Sequence, residues 1–156
     1  MVWNDNETDR QIEQIINILE KQPELLNTGL NQPLKFHARE ANLAVGQAQL
    51  MLVNEQETEL FVLEIVPAEA TAEDVGRLLA YVEWLGKTLL NIPVQQELSG
   101  QPNWYRSGSF KKLAKIQGIM LAHSFSEASL CAANACPNLF MRKYAFSLKI
   151  TPADSK

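Results

Sequence analysis

Glu64 has the strongest claim to chemistry in this sequence. It lies in the run Leu60–Val66, LFVLEIV, where the other six residues are apolar and Phe61, Val62, Ile65 and Val66 are aromatic or β-branched. Such a run reads as a strand buried on both faces. A carboxylate there is costly unless something pairs with it. One reading makes Glu64 a ligand for a divalent cation, a hard ion that takes oxygen donors. The other, which the residue pattern favours, makes it a structural carboxylate paired with Arg77 on the following helix or with a neighbouring backbone group. Glu13 and Glu40 are further carboxylates that could reach the same pocket, and their contexts read as solvated or capping acids.

A second constellation is basic and aromatic. Arg106, Lys111, Lys112 and Lys115 stand beside Trp104, Tyr105 and Phe110. Cations can track phosphates and aromatic rings can stack bases, so this pattern can hold nucleic acid. The plainer reading is a solvated face over a satellite core. His37 and His123 have no partner at metal-ligand spacing and read as packing or surface residues. Cys131 and Cys136 are too few for a disulfide framework, lack a second Cys or His pair for zinc, and read as reduced core residues. Ser124 and Ser126 have no Gly-x-Ser-x-Gly frame and read as helix caps.

The elements that must position these residues follow from periodicity. Helix one is expected over Asp9–Lys21, from Ile12, Ile15, Ile16 and Leu19, with Thr8 and Gln11 as a capping box. Pro23 begins a short turn that Gly29 ends. Strands are expected over Leu34–Glu40 and around Ala48–Val53. The loop Asn54–Glu59 then turns the chain into Leu60–Val66 as an antiparallel hairpin. Pro67 should stop that strand. Thr71 and Asp74 should cap a helix running to about Leu90, with Ala72, Val75, Leu78, Leu79, Val82 and Leu85 as its apolar stripe. A polar connection with Trp104 and Tyr105 embedded covers 91–109. Phe110–Lys115 reads as a helical turn and Ile116–Ala122 as a strand. A helix capped by Ser124 and Glu127 follows, then a last strand over Leu139–Ile150. The order α, β, β, β, α, β, α, β predicts an α/β fold with a mixed central β-sheet flanked by helices, its later strands parallel through right-handed crossovers.

The 156 residues suit one domain spanning 1–156, with 1–7 and 151–156 as flexible ends. The net charge of −4 argues against a dedicated nucleic-acid binder and permits a local basic patch. A polar, acidic N-terminus without an apolar segment predicts no secretory leader, and no apolar run suits a membrane span. A cytoplasmic setting is the corresponding expectation.

Several segments in this order resemble one family. Lys21-Gln22-Pro23-Glu24-Leu25-Leu26 with Gly29-Leu30 resembles an opening "NPELLE-GL" segment. Arg39-Glu40 and Gly46-Gln47-Ala48-Gln49-Leu50 resemble "RE…GRIDLL". Leu60–Val66 resembles "LVVIELK", the helix with Arg77, Tyr81 and Trp84 resembles "QLLRYMGW", and Ile116–Ala122 resembles "VRGILVA". These are segments of NucS-type DNA-repair endonucleases, within the restriction-endonuclease-like superfamily written PD-(D/E)xK. The resemblance covers most of residues 9–150 and implies a restriction-endonuclease-like fold. It also implies a site in which carboxylates on neighbouring strands hold Mg or Mn and a lysine assists. Carried over by position, the family's Asp falls on Gln49, its Glu is retained as Glu64, its Lys falls on Val66, and its helix Gln falls on Arg77.

Two of the three core catalytic positions are therefore changed. A neutral amide is a weak ligand for a hard cation, and Val66 neither donates a hydrogen bond nor carries charge. The expectation is a catalytically impaired nuclease-like domain that binds nucleic acid or protein, with no cofactor and with homodimer formation through a sheet edge. The alternative is an active metal-dependent DNA endonuclease whose site is rebuilt from Glu64, with Arg77 as a relocated cation.

Overall fold

The structure is a computed structural model in which residues 5–27, 30, 32–90, 102–105 and 110–145 are described. Among them the order is helix α1 (Asp5–Lys21), a 3-10 turn (Pro23–Leu26), strands β1 (Leu34–Leu43), β2 (Gly46–Asn54) and β3 (Glu59–Ala70), helix α2 (Ala72–Leu85), a π turn (Gly86–Leu90), strand β4 (Lys115–Phe125), helix α3 (Glu127–Asn134) and strand β5 (Leu139–Lys143). The five strands form one sheet in the order β1-β2-β3-β4-β5. The β1–β2 and β2–β3 pairs are antiparallel, and β3–β4 and β4–β5 are parallel. This is the mixed α/β architecture that the alternation of strands and helices dictates.

β3 is the middle strand, and Leu60 through Leu63 are fully buried. Its two faces serve two cores. Leu60 and Val62 join Met51, Val53, Val75, Leu78, Val82 and Trp104 beneath α2 and α3, whereas Phe61, Leu63 and Ile65 join Ile15, Ile16 and Leu19 beneath α1. A strand walled on both sides has no polar face, which is why its sequence does not alternate.

Several element ends differ from the sequence-based expectations. α1 begins at Asp5, so Thr8 lies inside the helix instead of capping it. β1 runs past Glu40 to Leu43, with Glu40 at φ 51. Pro67 lies within β3 instead of ending it, because the β3–β4 register shifts between Val66 and Glu69 and the bulge spares the missing N–H. α2 stops at Leu85 and the chain continues as the π turn. Phe110–Lys112 is a turn, with Phe110 at φ 67, and β4 already begins at Lys115. Ser124 lies in β4; the cap of α3 is Ser126, whose side chain accepts from the Ser129 N–H. β5 is described to Lys143. The expected cap at Gly29, the strand residues 146–150 and the end segments 1–4 and 151–156 lie outside the described residues.

The connection between α2 and β4 enters the fold at 102–105. Asn103 Nδ2 donates to the Glu40 carbonyl at 2.9 Å, and its Oδ1 accepts from the Asn42 N–H at 3.0 Å. Trp104 Nε1 donates to the Asn42 carbonyl at 2.7 Å, and His37 Nε2 lies 2.7 Å from the Trp104 carbonyl. These bonds occupy part of the outer edge of β1 with side-chain groups instead of a further strand.

Candidate functional site

The capping box that starts α2 fixes the helix against the C-terminal end of β3. Thr71 Oγ1 accepts from the Asp74 N–H at 3.2 Å, and Asp74 Oδ2 accepts from the Thr71 N–H at 2.8 Å. A cap of this kind is worth about 1 kcal/mol. It sets Arg77 and Tyr81 on the helix above β3, where Arg77 acts on the charge of Glu64 through space and Glu64 in turn acts on Tyr81. Glu64 shares strand parity with Leu60 and Val62, so it faces α2, and Val66 follows two residues on. Gln49 lies on β2 one residue beyond the Leu50–Leu63 pair, with its side chain on the Ile65 backbone beside Glu64. The sheet and α2 thus bring Gln49, Glu64, Val66 and Arg77 into one neighbourhood.

What these residues do there is specific. The β2–β3 register ends at Leu50 and Leu63. One residue further, the Gln49 side chain takes over: its Oε1 accepts from the Ile65 N–H at 2.7 Å and its Nε2 donates to the Ile65 carbonyl at 3.4 Å. The amide stands in for a backbone partner. Arg77 is engaged by its own helix, with Nη2 donating to Asp74 Oδ1 at 2.6 Å. The expected direct pair between Glu64 and Arg77 is not made.

Glu64 is 4 % exposed, and no described residue forms a hydrogen bond or ion pair with its carboxylate. Burial raises its pKa, Arg77 counters the rise and Asp74 adds to it, for a value of about 7 against an ordinary 4.5. Tyr81 is also pushed up, chiefly by burial and then by Glu64. Its hydroxyl donates to the Gln47 carbonyl at 3.4 Å and covers Gly46. Gly46 has φ 145, and a Cβ there would meet the Tyr81 hydroxyl at 2.8 Å, so the β1–β2 turn requires glycine.

A hard divalent ion takes several oxygen donors, at least one or two of them carboxylate. The residues here do not fit one. The Gln49 oxygen is committed to the Ile65 amide. Both Asp74 oxygens are engaged, by the helix cap and by Arg77. Val66 offers nothing, and Glu64 shares its surroundings with a cation. Among the described residues, no three His, Cys, Asp or Glu side chains gather into a metal-binding group. Glu13 pairs with Arg39 from the exposed side of α1, and Glu40 is exposed, so neither contributes.

The basic and aromatic constellation divides. Arg106 lies outside the described residues. Trp104 is 1 % exposed and packs edge-on to Trp84 and Tyr105. Its rings are core, not a platform for bases. Tyr105 and Phe110 are half-buried against the same cluster, and Lys111, Lys112 and Lys115 are exposed above it. These lysines are not near Glu64. Glu59 is the β3 residue paired with Lys115, and five residues of strand at about 3.3 Å each put roughly 17 Å between that point and Glu64.

Solved structures with this architecture identify it. A repair endonuclease from Pyrococcus abyssi superposes with a TM-score of 0.59 at 18% identity, over 83% of this chain and 45% of that one. EndoMS matches in a complex with double-stranded DNA at a TM-score of 0.60 and 18% identity, over 86% and 44%. EndoMS in its apo form matches at 0.57 and 19%, over 87% and 47%. The chain has the NucS-type, restriction-endonuclease-like fold. It spans less than half the length of these nuclease chains, and at such identity the likeness speaks for the fold alone. No family model and no curated protein sequence matches it. Among the described residues, no helix is long and apolar enough to cross a membrane. Sequence reasoning did not find the Asp74–Arg77 bond, although the three-residue spacing on one helix advertised it. Nothing in the sequence signalled the role of Gln49.

Proposed function

We propose that this chain is a nuclease-fold domain that binds DNA without cutting it. The observation that carries the reading is the Gln49 amide, which closes the β2–β3 ladder on Ile65 at the position where the family's pattern places a metal-binding acid. The DNA-bound EndoMS structure supports DNA as the ligand. Protein binding and a homodimer paired at a sheet edge belong to the same reading, as does a cytoplasmic setting. Sedimentation velocity, run with and without DNA, tests the dimer.

The test of cleavage is direct. The parent protein and Glu64→Gln are incubated with single-stranded, branched and duplex DNA in the presence of Mg²⁺ or Mn²⁺. The expected result is intact substrate with both proteins. Cleavage by the parent that disappears in Glu64→Gln would overturn the reading. One observation favours that second reading, an active endonuclease with a relocated site: a carboxyl with a pKa of about 7 is suited to accept and return a proton near neutrality. In it Glu64 moves the proton and Arg77 supplies positive charge.

A further inference from the structure

The exposed lysines around the start of β4 gather at one end of the sheet, with Glu55, Glu57, Glu59 and Glu83 among them. At the C-terminal end of β3 stand Glu64, Glu69, Glu73 and Asp74, and the guanidinium of Arg77 is already bound to Asp74. The register brings Ser124 beside Glu69, which adds Glu127 at the head of α3 to the same end. A polyanion approaching Glu64 from the α2 side meets mostly carboxylates, with Arg142 and Lys143 two strands away on β5.

The opposite end differs. α2 returns from the C-terminal end of β3 to the N-terminal end of β4, so its last turn and the π turn Gly86–Leu90 deliver Lys87 to the start of β4. There Lys87 and Lys115 border one recess of about 410 Å³, with Asn138 on its wall and Glu83 at its side. Backbone bonds from the Ala114 and Lys115 amides to the Thr58 carbonyl tie this recess to a second one of about 440 Å³, bordered by Lys111, Lys112, Thr58, Glu55 and Glu57. Glu57 is matched by Lys35 at 3.6 Å. Lys87, Lys111, Lys112 and Lys115 are exposed and make no ion pair or hydrogen bond with any described residue through their ammonium groups. Half-buried Phe110 lines the second recess and packs on the core below it.

We infer that the DNA backbone is held at this end, on Lys87, Lys111, Lys112 and Lys115, about 17 Å along the sheet from Glu64. The inference rests on the reading of the chain as a DNA-binding domain and names the surface that does the binding. Its chemistry is that of phosphate contacts: mobile ammonium groups over two recesses replace condensed counterions and read no base sequence. Trp104 is buried and Tyr105 and Phe110 pack half-buried against it, so of the three rings that the sequence offered none stands free, and duplex and single strand should be held mainly by charge.

The experiment measures fluorescence anisotropy of a short labelled duplex across a salt series. The proteins are the parent, Lys87→Ala/Lys115→Ala, Lys111→Ala/Lys112→Ala, and Lys21→Ala, which removes a charge from the far end of α1. Amide chemical shifts of the parent are mapped with the same duplex. The expected result is that each double variant flattens the plot of log K against log salt by roughly 2, equally for unrelated sequences, while Lys21→Ala tracks the parent. The shifts gather at Lys87, Ala114, Lys115 and Asn138. Unchanged double variants with shifts centred on Glu64 and Arg77 would overturn this placement and leave DNA binding standing. A parent that binds no duplex at low salt overturns both the placement and DNA as the ligand. Cleavage in the metal assay overturns the non-cutting reading and leaves the placement untouched.

Discussion

Glu64→Gln should stabilise this protein, and more so as the pH rises. The side chain is 4 % exposed, without a hydrogen-bond partner among the described residues, and its folded-state pKa is about 7 against 4.5. A carboxyl whose pKa is raised by folding binds its proton more tightly in the native state. Below about pH 4.5 it is neutral in both states and contributes no penalty. Between there and about pH 7 the unfolded chain ionises first, and stability falls; above that window the penalty is constant. A gap of about 2.5 at roughly 1.4 kcal/mol for each unit gives a full penalty of roughly 3 kcal/mol, of which about 1 kcal/mol is present near pH 5. Glutamine is nearly isosteric and cannot ionise. The assay is urea denaturation of parent and variant near both pH 5 and pH 8, with the difference between proteins taken at each pH so that other titrating groups cancel. The variant's advantage should grow by about 2 kcal/mol from the lower to the higher pH, or roughly 4–8 °C in Tm. An advantage that does not change with pH would refute the reasoning, because it would place the ionisation of Glu64 at its ordinary value.

Other outcomes follow from the same geometry. Gln49→Ala leaves the Ile65 N–H without its partner and should cost about 1–3 kcal/mol, with faster amide exchange localised at Ile65; unchanged exchange there would contradict the bond. A metal ion present at a hundred times its dissociation constant would stabilise the fold by about 2.7 kcal/mol. Millimolar Mn²⁺ should give no such shift in Tm, and a shift abolished by Glu64→Gln would show a working ligand set. Gly118→Ala would place a Cβ 2.8 Å from Leu139 and 3.0 Å from Leu78 and Val82. Denaturation should report a loss of about 1–3 kcal/mol from overpacking.

The order of elements was readable because the apolar periods are strong: the continuous run of β3 and the 3.6-residue stripe of α2 leave little choice. Their ends were less readable where a local stop signal yields to sheet pairing. Pro67 looks like a terminator, yet a bulge admits it and β3 pairs with β4 beyond it. Ser124 looks like a cap, yet His123 and Ser124 extend β4 and leave the cap to Ser126. At the site, the burial of Glu64 was legible from the apolar run around it, whereas Gln49, Val66 and Arg77 were named beside it only through the resemblance carried over by position. The attachment of Arg77 to Asp74 instead of Glu64 was decided by proximity within one helix. Trp104 was hidden by its setting: it lies in a polar stretch rich in turn residues, and only tertiary contact with β1 and Trp84 makes it core.

The bond between Gln49 and Ile65 has a consequence for any attempt to give this domain a metal. An ionised aspartate at 49 has no proton to offer the Ile65 carbonyl, so it could mimic only half of a peptide group. Its shorter arm would have to choose between the strand and an incoming ion. An acid at 49 would therefore loosen the end of the β2–β3 ladder at Ile65, and a redesign would need a new partner for that amide before position 49 could serve a cation.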